Sequence, residues 1–221
     1  MKKMFVSVMA AMFAALSVVS VASADAVMDS VSGLQHEWAV ANYQAPDKDK
    51  EAAFRALVAK AEALTKANPN RAEPKVWEAI IRAGLAGAMG GLSSLFNAMP
   101  EMEKGRDLLL AAEKLDAKVL NGSVYTTLGS FYYMVPGGFI GFGDTDKAEA
   151  YLKKALAIAP DDMDANYFMG DFLLEKKKYK EAKPYFDKVL ALPDVADRPI
   201  YSKGRKAEAE AKLAKVKKNT F

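Results

Sequence analysis

The residues with most chemical promise lie in "PGGFIGFGDT", where Gly137, Gly138, Gly141 and Gly143 crowd into seven positions ahead of a helix-like run. A glycine-rich loop that opens a helix can cradle a phosphate on its backbone N–H groups. The working form ends in a lysine and a hydroxyl residue, G-x-x-x-x-G-K-S/T. This loop ends Gly143-Asp144-Thr145-Asp146, so two carboxylates stand where the helix dipole would attract an anion. The glycines instead suit positive φ and close backbone packing. Val135, Phe139, Ile140 and Phe142 are expected to bury themselves against neighbouring helices. Long ordered loops often carry function, so Tyr132, Pro136, Phe139 and Phe142 mark one wall of a candidate cavity.

The remaining chemistry is thin. His36 is the single histidine, and one imidazole without a second nitrogen or sulfur ligand is a poor metal site. Asp161, Asp162 and Asp164 begin like a calcium loop but lack its glycine at position six and glutamate at twelve. They read better as the cap of the helix at "DANYF". There is no cysteine, which excludes disulfides, thiol nucleophiles and a lipid anchor. A serine nucleophile would need a base, and His36 sits in no such motif. No metal, no cofactor and no catalytic group is expected, so the chain reads as a non-enzyme.

Lys plus Arg number 31 against 28 for Asp plus Glu. That near balance supplies no basic field for nucleic acid. Lys2 and Lys3 precede an uncharged apolar stretch, Met4 to Val21, and then Ala22-Ser23-Ala24. This is the pattern of a cleaved secretory signal peptide over residues 1–24. A periplasmic or secreted protein without stable membrane insertion is expected.

Strand signals are scarce, and apolar residues recur at helical spacing. In "DKAEAYLKKALAIAP", Ala148, Tyr151, Leu152, Ala155 and Leu156 form one stripe, with Asp144 or Asp146 as N-cap and Pro160 as stop. The pattern then repeats. Ala148 and Ala182 stand 34 residues apart, as do Leu152 and Phe186, and Leu128-Gly129 corresponds to Met169-Gly170. Small residues at fixed places let paired helices approach, and large ones fill the space beside them. A period of about 34 with this pattern is that of the tetratricopeptide repeat. The expected fold is all-α, with helix-turn-helix units stacked as a short right-handed superhelix. Residues 25–70 form an N-terminal helix pair, 71–195 the repeats, and 196–221 a capping helix and tail. Two connections are longer than such repeats need, the loop at 136–143 and "GAMGGLSSLFNAMP" after Trp77.

Leu128-Gly129, Tyr132-Tyr133, Pro136-Gly137-Gly138 and Pro160 together resemble periplasmic tetratricopeptide proteins of the TatT type, associated with TRAP transporters. The resemblance implies a helical bundle that forms homo-oligomers and a groove or pore for hydrophobic ligands. It also implies docking of a periplasmic substrate-binding protein. The chain departs from that family in lacking the lipidation cysteine. Such repeats bind partners on the inner face of each first helix, which here carries Glu78, Arg82, Thr126, Ser130, Tyr133, Tyr167 and Asp171. Of these, Glu78, Arg82, Tyr133, Tyr167 and Asp171 are the expected contact residues. Two functions fit, binding of a partner protein or carriage of a small hydrophobic molecule or lipid beside the glycine-rich insertions.

Overall fold

Alanine-rich stripes flanked by lysine and glutamate favour helix everywhere except at glycine, proline and cap positions. The computed structural model, which describes residues 26–89 and 94–219, follows that rule. The leader expected over residues 1–24 lies outside the described residues. Helix α1 spans 26–43 and α2 Asp47–Ala67, followed by α3 at Ala72–Ala88 and α4 at Ser94–Asp116. Then come α5 at Val119–Met134, α6 at Thr145–Ile158, α7 at Met163–Glu175, α8 at Tyr179–Ala191 and α9 at Pro199–Lys218. No strand occurs among the described residues, and the one β-bridge among them joins Gly137 to Gly143 at the base of the glycine loop.

Local chemistry sets the boundaries. Asp144 caps α6, its carboxylate accepting from the N–H groups of Asp146 and Lys147. Asp162 caps α7 by accepting from the Ala165 N–H. Pro184 sits in the second turn of α8 on its exposed side, where water can satisfy the carbonyl that loses its helical donor. The start of α5 is unusual. Leu120, Asn121 and Gly122 all take positive φ, a left-handed turn that glycine adopts freely and asparagine tolerates, so the strain falls on Leu120.

Consecutive helices pack as pairs, α3 on α4, α5 on α6 and α7 on α8. The repeat pattern explains their closeness. A Cβ on Gly129 would stand 2.6 Å from Leu152 Cγ, and one on Gly170 would stand 3.0 Å from the Phe186 ring. Leu152 and Phe186 are fully buried by that approach. Each fully buried side chain of this size contributes about 1.5–3 kcal/mol from apolar burial.

Two expectations need correction. The excess after Trp77 is largely helix, because α3 runs through Gly84 and Gly87 to Ala88 and α4 begins at Ser94. In the glycine loop, Val135 is buried and Phe142 half-buried, but Phe139 and Ile140 are exposed. The bridge between Gly137 and Gly143 draws the two limbs of the loop together, and the residues between them are pushed clear of the helices.

Candidate functional site

The first helices of the pairs line one side of the stack, α5 lying against both α3 and α7. Helix α9 adds the next wall. Arg205 pairs with Asp164 at 2.8 Å, and Lys212 pairs with Asp171. The members of both pairs follow in the same order along their helices, so α9 runs parallel to α7, as a further first helix would. It then meets the start of the chain. Tyr43 of α1 donates to Glu208 at 3.3 Å, and a Cβ on Gly204 would strike the Tyr43 ring. Trp38 of α1 packs edge-on against Trp77 of α3, with ring centres 6.1 Å apart. Helices α1, α3, α5, α7 and α9 therefore form a closed ring.

The ring surrounds a groove of about 1080 Å³, at the upper end of the size of small-molecule sites. Its polar part lies at the starts of α3, α7 and α9. There the Arg198 guanidinium stacks 4.0 Å from the Tyr201 ring centre and 5.3 Å from Trp77. Arg205 is buried, lies over Tyr167 at 4.3 Å and pairs with Glu208 at 2.6 Å. Its contact with Asp164 is an ion pair by distance but is poorly aligned as a hydrogen bond. Arg205 Nε and Asp164 Oδ1 each keep an unused hydrogen-bonding direction. Burial alone would depress the Arg205 pKa, but the Asp164 and Glu208 carboxylates outweigh it and hold the guanidinium charged. Burial, reinforced by Asp164, pushes the Tyr201 hydroxyl well above its ordinary range, and burial does the same for Tyr167. The phenols here stay neutral. Asp162 is raised to about 6, first by burial and then by the neighbouring Asp164 charge.

The apolar part lies at the ends of α3 and α5. Ala86, Gly87, Met99, Met134, Val135 and Pro136 line it. The glycine loop stands beside it, since a Cβ on Gly141 would touch Met99 and Val135. Phe96, one turn before Met99, is 79% exposed, and Met134 and Ile140 are more than half exposed. The rim at this end is therefore a cluster of uncovered apolar side chains.

The expected contact residues divide. Tyr167 lines the groove, as do Thr126 and Ser130. Arg82 and Glu78 lie below the surface, where Arg82 bonds Glu78 at 2.8 Å and reaches Glu62 and Glu101 as well. They clamp α3 to α2 and α4. Tyr133 donates to Asp171 at 2.9 Å, and Asp171 also holds Lys212, so this pair ties α5, α7 and α9 together. Of the loop residues, Pro136 reaches the groove. Tyr132 stacks on Tyr151 and meets Phe142 edge-on, and Phe142 carries Arg106 over its face at 4.6 Å. Phe139 points away from the packed residues. Sequence reading missed Trp38, Arg198, Tyr201, Arg205 and Glu208. The last four stand at i, i+3, i+7 and i+10, one face of a helix. That stripe is masked in the sequence because the Ala/Leu/Val positions of α9 already look like its buried face.

A tetratricopeptide repeat model matches residues 139–195, which contain α6, α7 and α8. A solved structure of a thermophilic TPR protein from Thermus thermophilus is similar, at 20% identity and a TM-score of 0.41. That match covers 72% of this chain and 92% of the other. No curated protein matches the chain. Residues 139–195 therefore match a tetratricopeptide repeat within an all-α stack of helix pairs, with further pairs before them and α9 after them.

Proposed function

We propose that this protein is a non-enzymatic binding protein that carries a small, largely apolar molecule in the groove enclosed by α1, α3, α5, α7 and α9. The ring closure between Tyr43 and Gly204 carries this reading. An open solenoid offers its inner face to an extended peptide, whereas a closed ring offers a chamber. On this reading the chain acts in the periplasm or outside the cell, freed from residues 1–24. Native mass spectrometry of gently purified protein tests it. Gly87 faces the groove, and a Cβ there meets nothing within 4 Å, so Gly87→Phe fills the chamber without disturbing the helix pairs. The wild type is expected to carry a bound mass that Gly87→Phe loses. A wild type without any bound mass, and without uptake from a mixed lipid extract, would sink the proposal.

The uncovered rim favours a second, compatible role, docking of a partner protein at the mouth. Phe96, Met134, Phe139 and Ile140 are exposed apolar side chains on α4, the end of α5 and the glycine loop, of the kind that marks interaction sites. The substrate-binding protein of a TRAP transporter is the partner that the family resemblance suggests. Phe139→Ser with Ile140→Ser should abolish capture of such a protein in a pull-down and leave the carried molecule in place. Undiminished capture would remove this role.

A further inference from the structure

Resting on the chamber reading, we propose that the occupant is an amphiphile with a carboxylate at one end, held by Arg198 and the Trp38 indole N–H, and an apolar body reaching Met99 and Met134. The charges come first. Arg205 has Asp164 and Glu208 as partners. Arg198 lines the same groove and forms no ion pair among the described residues. Tyr201 and Trp77 hold its guanidinium flat, a placement that fixes its direction but leaves its hydrogen-bonding edge free. Its Nε is buried and donates to no partner. Asp162 lies near enough to feel the Arg198 charge, but its carboxylate is turned to the Ala165 N–H that it caps.

Trp38 supplies the second, independent observation. It is 8% exposed, it lines the groove, and its Nε1–H is buried without an acceptor. Buried indole donors ordinarily find a partner. Trp38 and Arg198 both approach Trp77. A guanidinium that makes no ion pair among the described residues and an indole whose buried donor has no acceptor therefore both pack against one tryptophan, at 5.3 Å and 6.1 Å from its ring centre. A carboxylate satisfies both, with one oxygen for each. A neutral hydroxyl would leave the guanidinium unpaired, and an ammonium, which only donates, could accept from neither group even though Asp161, Asp162, Asp164, Asp194 and Glu208 also line the groove. The methionines at the far end suit a flexible chain, since their side chains adapt to its shape.

The chain has two tryptophans, Trp38 and Trp77, and both line the groove, so intrinsic fluorescence reads occupancy directly. The full chain is titrated with decanoate, decanol and decyltrimethylammonium, and with a short apolar peptide bearing a free C-terminus. Decanoate should bind at least tenfold more tightly than decanol or the cation, and a preference for the cation would overturn the head-group assignment. Arg198→Met should remove that preference while leaving decanol affinity within twofold, which also shows that the variant is folded. Arg198→Lys keeps the charge without the stacked fork and should recover part of the preference, and Trp38→Phe should weaken decanoate alone. Equal binding of decanoate and decanol, unmoved in Arg198→Met, would overturn the head-group assignment and leave the chamber reading standing. Binding of the peptide in preference to decanoate would overturn the small amphiphile. Failure of every probe would overturn both.

Discussion

Asp162 shows how one residue can serve two ends at some cost. It caps α7, accepting from the Ala165 N–H at 2.8 Å, yet it lies half-buried beside Asp164. Its folded pKa, raised to about 6, stands above the ordinary carboxylate value. The folded state therefore holds this proton more tightly than the unfolded chain does. Its contribution to stability is greatest below the unfolded pKa and declines as pH rises through about 6. Asparagine caps nearly as well and carries no charge. Asp162→Asn should be more stable than the wild type at pH 7.5 by about 1 kcal/mol, after allowance for partial solvent access. That advantage should disappear near pH 4. Paired thermal melts decide it, and an equal gain at both pH values would refute the account. The capping role was legible in the sequence, because Asp before "DANYF" is a local signal. The burial was not, since α9, much later in the chain, supplies the walls.

At the scale of elements, the pairs were readable and their closure was not. The glycines at 129 and 170 recur at helical-repeat spacing, and the structure shows each one receiving a large side chain from its partner helix. Periodicity carries that information because each contact lies within one unit. The role of α9 depends on Tyr43, whose partner Glu208 lies 165 residues later, and no local pattern encodes such a meeting. The same limit explains Glu78, Arg82 and Asp171. Their types and spacing suit a binding face, but the surrounding helices bring carboxylates to Arg82 and Lys212 to Asp171. Breaking one partner from such a buried set is costly, which makes these residues clamps of the stack. The latch itself can be tested. Gly204→Val places branched carbons where the Tyr43 ring sits and should cost about 1–3 kcal/mol by overpacking, read by urea denaturation. No change in the unfolding midpoint would mean that α9 is not latched there.

The whole molecule departs from the usual behaviour of repeat arrays. In an open solenoid each unit touches only its neighbours, and unfolding can start at either end. Here the last helix lies on the first, so neither end of 26–219 is free to fray alone. Helical circular dichroism and tryptophan fluorescence should therefore lose signal together in the wild type. In Gly204→Val the tryptophan signal, which reports the wall at α1 and α3, should separate from the helical signal. A wild type with two resolved transitions would show that the ring does not act as one unit.

Closure on Tyr43 also fixes the number of units. An open array can lengthen or shorten by a whole helix pair and still present a usable surface. A ring has one circumference at which its last member meets its first. Duplication or loss of a pair would carry Gly204 away from Tyr43 and break the chamber. Variation in this architecture is therefore confined to side chains, loops and rim, and new specificity has to come from relining the interior.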